Sequence, residues 1–347
     1  MNYSGTVAAS EVHPQFEPER TLPPDILDEI TEIRVNRPQI IAEESRKRNR
    51  RARLTRDGKL VLAALDHPAR GVTRVGQQEL AMADRYQLLA RTRRALDDPL
   101  LDGVLVTADE LEELLILSYL ERKRTGKSFL DGRLLLGSMN RGGLAGTAFE
   151  MDDTFTALSA QRLKFLKCDG GKMLLRLDPQ DSASGRTLLA CANAVNSLHQ
   201  NRLPAFVEPF FVTRKGEQYQ TANDAASLAR MCGIASALGE SSAHVWLKVP
   251  YVEDFATVCR ATTLPILLLG GPARESPVHT IKDFASALEA SPRVRGAVIG
   301  RNLLFPGDAD PLPMCRALTA LVHGGATLEK AVAILNARVS SPQRVPA

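Results

Sequence analysis

What this chain lacks narrows it quickly. Its five cysteines, Cys168, Cys191, Cys232, Cys259 and Cys315, are odd in number, widely spaced and without a C-x-x-C pair. That pattern excludes a disulfide framework and reads as buried thiols in a reducing compartment. The six histidines, His13, His67, His199, His244, His279 and His323, form no H-x-H or H-E-x-x-H arrangement, so nothing in their spacing asks for zinc and no cofactor is expected. No apolar run approaches the roughly 18 residues of a membrane span, and the polar N-terminus has no signal-peptide hydrophobic stretch. A cytoplasmic protein with no membrane partner is the expectation. Charge of one sign is also missing: 44 basic residues against 40 acidic ones leave a formal net charge of +4, too small to argue for nucleic acid.

What is present is ordinary globular composition, 44% hydrophobic and 24% charged over 347 residues, enough for one large barrel or two average domains. Residues 1 to about 22 are polar, proline-containing and without period, and read as a loose arm. PPDILDEITEIRV, from Pro23, sets Ile26, Leu27, Ile30 and Ile33 on one face and predicts a helix ending before Pro38. A second helix is predicted from Gln39 to Arg53, closing in the run SRKRNRRAR. That run could meet an anionic partner such as nucleic acid, or be a solvated helix face. No aromatics interleave in it for base stacking, which favours the solvated face.

From Lys59 the pattern becomes regular. Short Val-, Ile- and Leu-rich runs recur eight times, at 59–67, 102–107, 133–139, 171–179, 204–211, 244–251, 264–272 and 295–305, separated by helical stripes. Eight alternating units predict a (β/α)8 TIM barrel of the α/β class. The division expected is an N-terminal arm and helices over 1–58, the barrel over 59–340 and a tail over 341–347. Among the helices, ADELEELLILSYLERK opens with acids and closes with bases, as the helix dipole favours. TANDAASLARMCGIASALG is expected to be capped by Thr221 or Asn223 and to stop at Gly239. The glycine-rich stretch NRGGLAGTAFEMDD, between the third and fourth runs, is either a loop over a site or a plain connection.

In such barrels the chemistry gathers at the C-terminal strand ends. The sixth run, HVWLKVPY, carries Lys248 in apolar surroundings. Desolvation disfavours an ammonium there and would leave a nucleophilic amine, unless the lysine snorkels to water. Around it the other runs contribute Asp66 and His67, then Lys172, Arg176 and Asp178, then Glu208. The last two runs close in Gly270 and Gly271, and in Gly300 and Arg301. Taken singly, each has a bland reading as a cap, an ion pair, a solvated strand end or turn punctuation. Taken together they describe Schiff-base chemistry. Lys172 is a neighbouring cation that keeps Lys248 neutral, and Glu208 and Asp66 are proton carriers. The glycine turns with Arg301 form a cradle for a phosphate dianion.

These segments resemble the class I aldolases of the DeoC/FbaB/tagatose-bisphosphate aldolase superfamily, over about residues 59 to 305. LDHPARG at 65–71 resembles the family's strand-1 segment and gives Asp66 the active-site aspartate. KMLLRLDPQD at 172–181 makes Lys172 the second lysine, FVEPFF at 206–211 makes Glu208 the acid/base, and WLKVPY at 246–251 makes Lys248 the Schiff-base residue. LLLGG and GRNLLF resemble the phosphate-binding ends of the last two strands. The sequence departs from the family pattern with His-Pro after Asp66, with Gly-Gly where Ser-Ala-Gly is frequent, and in the unmatched extension before Lys59. The resemblance implies a metal-independent aldehyde-lyase acting on a phosphorylated sugar. The inositol-catabolism-associated branch looks nearest, which points to 2-deoxy-5-keto-gluconate 6-phosphate. Fructose- or tagatose-bisphosphate and deoxyribose phosphate are the alternatives, and a non-catalytic phosphosugar-binding barrel is the alternative of another class. Assembly into a homo-oligomer stays open.

Overall fold

The computed structural model describes residues 15–337 apart from 142, 217 and 275. Eight strands run parallel: β1 (Leu60–Ala64), β2 (Gly103–Val106), β3 (Leu134–Ser138), β4 (Gly170–Leu177), β5 (Ala205–Lys215), β7 (Val245–Pro250), β8 (Ile266–Leu269) and β9 (Val294–Ile299). Strand β6 (Gln218–Thr221) pairs antiparallel with the outer half of β5 and stands apart from the barrel. The other eight pair in sequence order, and β1 meets β9 while β4 meets β5, so the sheet closes on itself. Each of the eight predicted runs contains one strand of the barrel, and the fold is a (β/α)8 barrel.

Closure sorts the side chains by parity. Val61, Ala63 and Leu65 face the surrounding helices, whereas Leu60, Leu62 and Ala64 join Leu105, Leu134, Leu136, Phe206, Leu267 and Val298 in a separate cluster inside the barrel. That inner cluster is a solid apolar plug across the lower and middle barrel. Glycine is required where β9 crosses β1: Gly296 has φ +125°, and a Cβ there would overlap the carbonyl oxygen of Leu60.

Several expectations need correction. The last run, 295–305, is two elements: β9 ends at Ile299, and a short helix, Arg301–Leu304, follows Gly300. The helix after β6 is capped by Asp224, which accepts from the amide of Ser227, and spans Ala225–Ser236; Thr221 is instead the last residue of β6. The arm is not loose over the residues described: Phe16 and Leu22 are buried, the Phe16 amide donates to Asp308 O at 2.8 Å, and the Arg91 guanidinium lies 4.7 Å from the Phe16 ring. Residues 1–14 and the tail from 338 lie outside the described residues.

The basic run is a solvated helix face only over Arg46 and Lys47, which are exposed. Its helix stops at Lys47, and the following arginines reach beneath the barrel. Arg48 donates to Lys167 O (2.6 Å) and to Asp169 (3.1 Å), Arg50 pairs with Asp169 at 2.8 Å, and Arg51 pairs with Asp102 at 2.6 Å. Asp102 and Asp169 sit just before β2 and β4, so the run fastens the N-terminal helices to the barrel floor. All five cysteines are buried and unpaired. Among the described residues no helix is long and apolar enough to cross a membrane.

Candidate active site

The parity that builds the plug also lifts four charged groups to one level above it. Leu65, Met173, Val207 and Val249 turn outward, so Asp66, Lys172, Glu208 and Lys248 turn inward, and all four are buried. Lys172 Nζ lies 3.0 Å from Asp66 Oδ2 and 2.8 Å from Glu208 Oε2, and Lys248 Nζ lies 3.0 Å from the same Glu208 oxygen. The structure thus joins Asp66, Lys172, Glu208 and Lys248 into one continuous chain. Ser138, on the inward face of β3, donates its hydroxyl to Asp66 Oδ2 at 3.2 Å.

The two amines stand in unequal surroundings. Burial pulls Lys172 down, but flanking Asp66 and Glu208 outweigh it and hold the ammonium well above the ordinary lysine range. For Lys248 burial is the larger effect; Glu208 opposes it, the charge on Lys172 adds to it, and the pKa falls. Lys248 is therefore the amine closer to losing its proton. Burial raises both carboxyls, yet the two lysines prevail. Glu208 is held at about 2, and Asp66 well below the usual carboxylate range.

The glycine turns lie above β8 and β9. Asn302 secures the first of them: its Nδ2 donates to Gly270 O (2.7 Å) and Pro272 O (2.9 Å), and its Oδ1 accepts from the Arg274 amide (3.0 Å). Arg301 Nη2 donates to Gly271 O at 3.2 Å. Gly270 and Gly300 have a packing reason to be glycine, since a Cβ at Gly270 would lie 2.7 Å from Ile299 and one at Gly300 would overlap the His67 ring. Gly271, with φ +67°, faces open space.

Sequence reading assigned no role to several residues that the mouth contains. His67 packs on Gly300 and stays neutral, at about 3, because burial, against the pull of Asp66 and with the help of Arg301, disfavours the imidazolium. Arg70 and Arg301 each bury an Nε without a hydrogen-bond partner, as His67 does its Nδ1. The loop after β3 is tied across the opening: Arg141 donates to Ala69 O (2.7 Å), Ala145 N to Arg70 O (3.1 Å), and Glu150 pairs with Arg176. On the far side Tyr219 of β6 places its ring 5.8 Å from the Arg176 guanidinium. Asp178 is a turn residue that accepts from the Gln180 amide at 3.0 Å. Ser138 was legible by parity, two residues after Leu136 in RLLLGSM. Arg70 and Glu150 carry no such signal, because loops have no period. Among the described residues no three His, Cys, Asp or Glu side chains gather as a metal site.

This geometry can be set beside known proteins. The model of the family described as Cgl0159-like matches residues 58–317. The chain belongs to the Cgl0159-like family. The crystal structure of Cgl0159 from Corynebacterium glutamicum is 36% identical, with a TM-score of 0.81 over 90% of this chain and all of that one. An archaeal fructose 1,6-bisphosphate aldolase, 21% identical with a TM-score of 0.54 over 82% of this chain and all of that one, shares the barrel fold. An uncharacterized aldolase of Saccharolobus solfataricus, SSO3226, is 27% identical over 158 residues, 45% of this chain and 54% of its own length. The chain thus spans about half the length of that curated relative. This Cgl0159-like protein is a (β/α)8 barrel, the fold of that archaeal aldolase.

Proposed function

We propose that the protein is a class I aldolase in which Lys248 forms a Schiff base with a phosphorylated keto sugar or sugar acid. The observation that carries this reading is the shared Glu208 oxygen between two buried amines, one fixed as an ammonium and the other pushed towards the free base. The Lys248 amine attacks the substrate carbonyl. Glu208, beside both lysines, moves the proton that turns the carbonyl oxygen of the carbinolamine into departing water. The iminium draws in the electron pair of the bond between its α and β carbons as that bond breaks, which leaves an enamine. Asp66, paired with Lys172 and Ser138, accepts the proton of the hydroxyl that becomes the aldehyde. The enamine left on Lys248 is protonated and hydrolysed, which releases the ketone product and restores the amine.

The cationic mouth supports an anionic substrate. Arg301, with the backbone of Gly270, Gly271 and Gly300, is proposed to hold the phosphate, and the unpartnered Nε atoms of Arg70 and Arg301 supply donors for it. The favoured substrate is 2-deoxy-5-keto-gluconate 6-phosphate, cleaved to dihydroxyacetone phosphate and malonate semialdehyde. Its C5 ketone is the Schiff-base carbon, and its C3 hydroxyl is the one deprotonated. Fructose bisphosphate is the second reading, supported by the archaeal enzyme of the same fold.

Borohydride trapping tests the mechanism. With dihydroxyacetone phosphate present, it is expected to reduce an iminium and leave the adduct on the peptide containing Lys248, with or without a chelator. Lys248→Ala should abolish adduct and turnover together. Normal turnover with no adduct from any phosphorylated carbonyl compound would sink the covalent reading. Adduct on Lys172 would exchange the roles of the two lysines.

A further inference from the structure

The opposite end of the barrel holds a half-open cavity of about 720 Å3, within the roughly 300–1,000 Å3 range of small-molecule sites. The apolar plug of Leu62, Leu136 and Phe206 fills the barrel between it and the lysine pair. Four arginines line it, Arg50, Arg51, Arg53 and Arg202, against one carboxylate, Asp169. That carboxylate is already engaged by Arg48, Arg50 and the Leu135 amide. Arg51 is nine-tenths buried, with one guanidinium nitrogen on Asp102 and the other, Nη2, buried without a partner. The lining therefore carries an excess of three positive charges and a donor that nothing in the protein satisfies, conditions that ask for an anion.

The floor of the same cavity is apolar. Trp246, the one tryptophan of the chain, stacks on Phe206 of the plug at 6.0 Å between ring centroids and presents the rest of its half-buried indole to the cavity beside Leu54. A bare phosphate would leave this aromatic floor unused, and an apolar ligand would leave the arginines unmatched. A phosphorylated ligand with a flat ring uses both. We propose that this lower cavity binds a mononucleotide, with its base against Trp246 and its phosphates among Arg51, Arg53 and Arg202. Base–aromatic stacking of this kind tolerates any base, so the preference falls on phosphate number more than on base identity.

The fluorescence of Trp246 reads the site directly. Titration of the full chain with ADP and ATP is expected to change that emission saturably, at least tenfold more tightly than inorganic phosphate or adenosine. Arg202→Gly is the decisive variant. Arg202 holds a left-handed backbone, φ 59°, that glycine adopts without strain, so the substitution is expected to keep or raise the thermal midpoint while weakening ADP roughly tenfold. Arg53→Ala, at an exposed side chain, should weaken ADP similarly with the midpoint unchanged. The proposal is overturned if phosphate binds as tightly as ADP, if only oligonucleotides alter the emission, if no nucleotide does, or if Arg202→Gly leaves ADP affinity as it was.

Discussion

Lys172 and Lys248 are the same residue type on the same inner face, and their difference is entirely one of neighbours. Lys172 has two carboxylates within 3.0 Å and Lys248 has one. Replacing Lys172 with alanine removes the like charge beside Lys248 and leaves Glu208 to pair with Lys248 alone, so the Lys248 pKa rises. The pH optimum of the residual activity should then move to higher pH, with kcat down by roughly 10²–10⁴-fold if Lys172 takes part in proton transfer. A pH–rate profile checks this, and an unmoved optimum would contradict the coupling. Arg301→Ala is predicted to weaken phosphorylated substrates by about ten- to a hundredfold, the worth of one charge-assisted hydrogen bond, and dephosphorylated analogues far less. Equal losses would make the arginine a structural group holding Gly271. At this scale the sequence was readable where a strand imposes alternation: knowing that Val249 faces outward is enough to turn Lys248 inward. Arg70 and Glu150 lie in loops, where position depends on contacts such as Arg176 with Glu150, 26 residues away.

Elements were legible for the reason that residues in strands were: eight apolar runs repeat at barrel spacing, and each has a buried two-sided strand to become. Pairings between distant segments were not. The basic run looks solvent-facing in sequence because its partners, Asp102 and Asp169, lie 51 and 119 residues ahead of Arg51 and Arg50. Likewise β6 carries alternating polar residues that read as a loop until the outer half of β5 pairs with it. The arginine fastening is expected to matter to stability. Arg48 has a fully buried side chain, so Asp169→Ala would leave its guanidinium without its charge partner and the Leu135 amide without its acceptor. Breaking a buried pair from one side costs roughly 3–5 kcal/mol. Urea unfolding should register that loss, while turnover below the transition stays close to normal because the network of Lys172 and Lys248 lies beyond the apolar plug. A change below about 1 kcal/mol would show that water replaces the carboxylate.

Across the whole molecule, several titrations oppose one another, and their signs decide how stability follows pH. Asp66 and Glu208 are held below their unfolded values by the lysines, so their contribution is present above about pH 4.5 and fades as pH falls towards 2. His67, lowered to about 3, acts in the same direction, adding stability as pH rises from about 3 to 6.5. Glu110 runs the other way. It is buried at the first turn of the helix Ala108–Thr125, where its carboxylate accepts the Thr107 amide at 2.8 Å, and burial, outweighing that bond, raises it from 4.5 to about 8. A raised carboxyl stabilises fully below its unfolded value and loses that contribution as pH climbs through its folded value, so the window is about 4.5 to 8. Glu113, raised to about 7, and His323, raised by Asp102 and Asp57 against its burial, add to the same decline. Glu110→Gln separates these effects, because glutamine keeps the capping acceptor and removes the titration. Between pH 5 and 8 the wild-type protein should lose stability relative to this variant, with a slope that approaches roughly 1.4 kcal/mol per pH unit between about pH 6 and 7 and halves as pH reaches about 8. Urea midpoints measured for both proteins across that range check it, since His67 and the lysine network contribute equally to the two curves and cancel in their difference. Parallel curves would mean that Glu110 stays ionised in the fold, with Arg85, 3.5 Å from its other oxygen, carrying the pair.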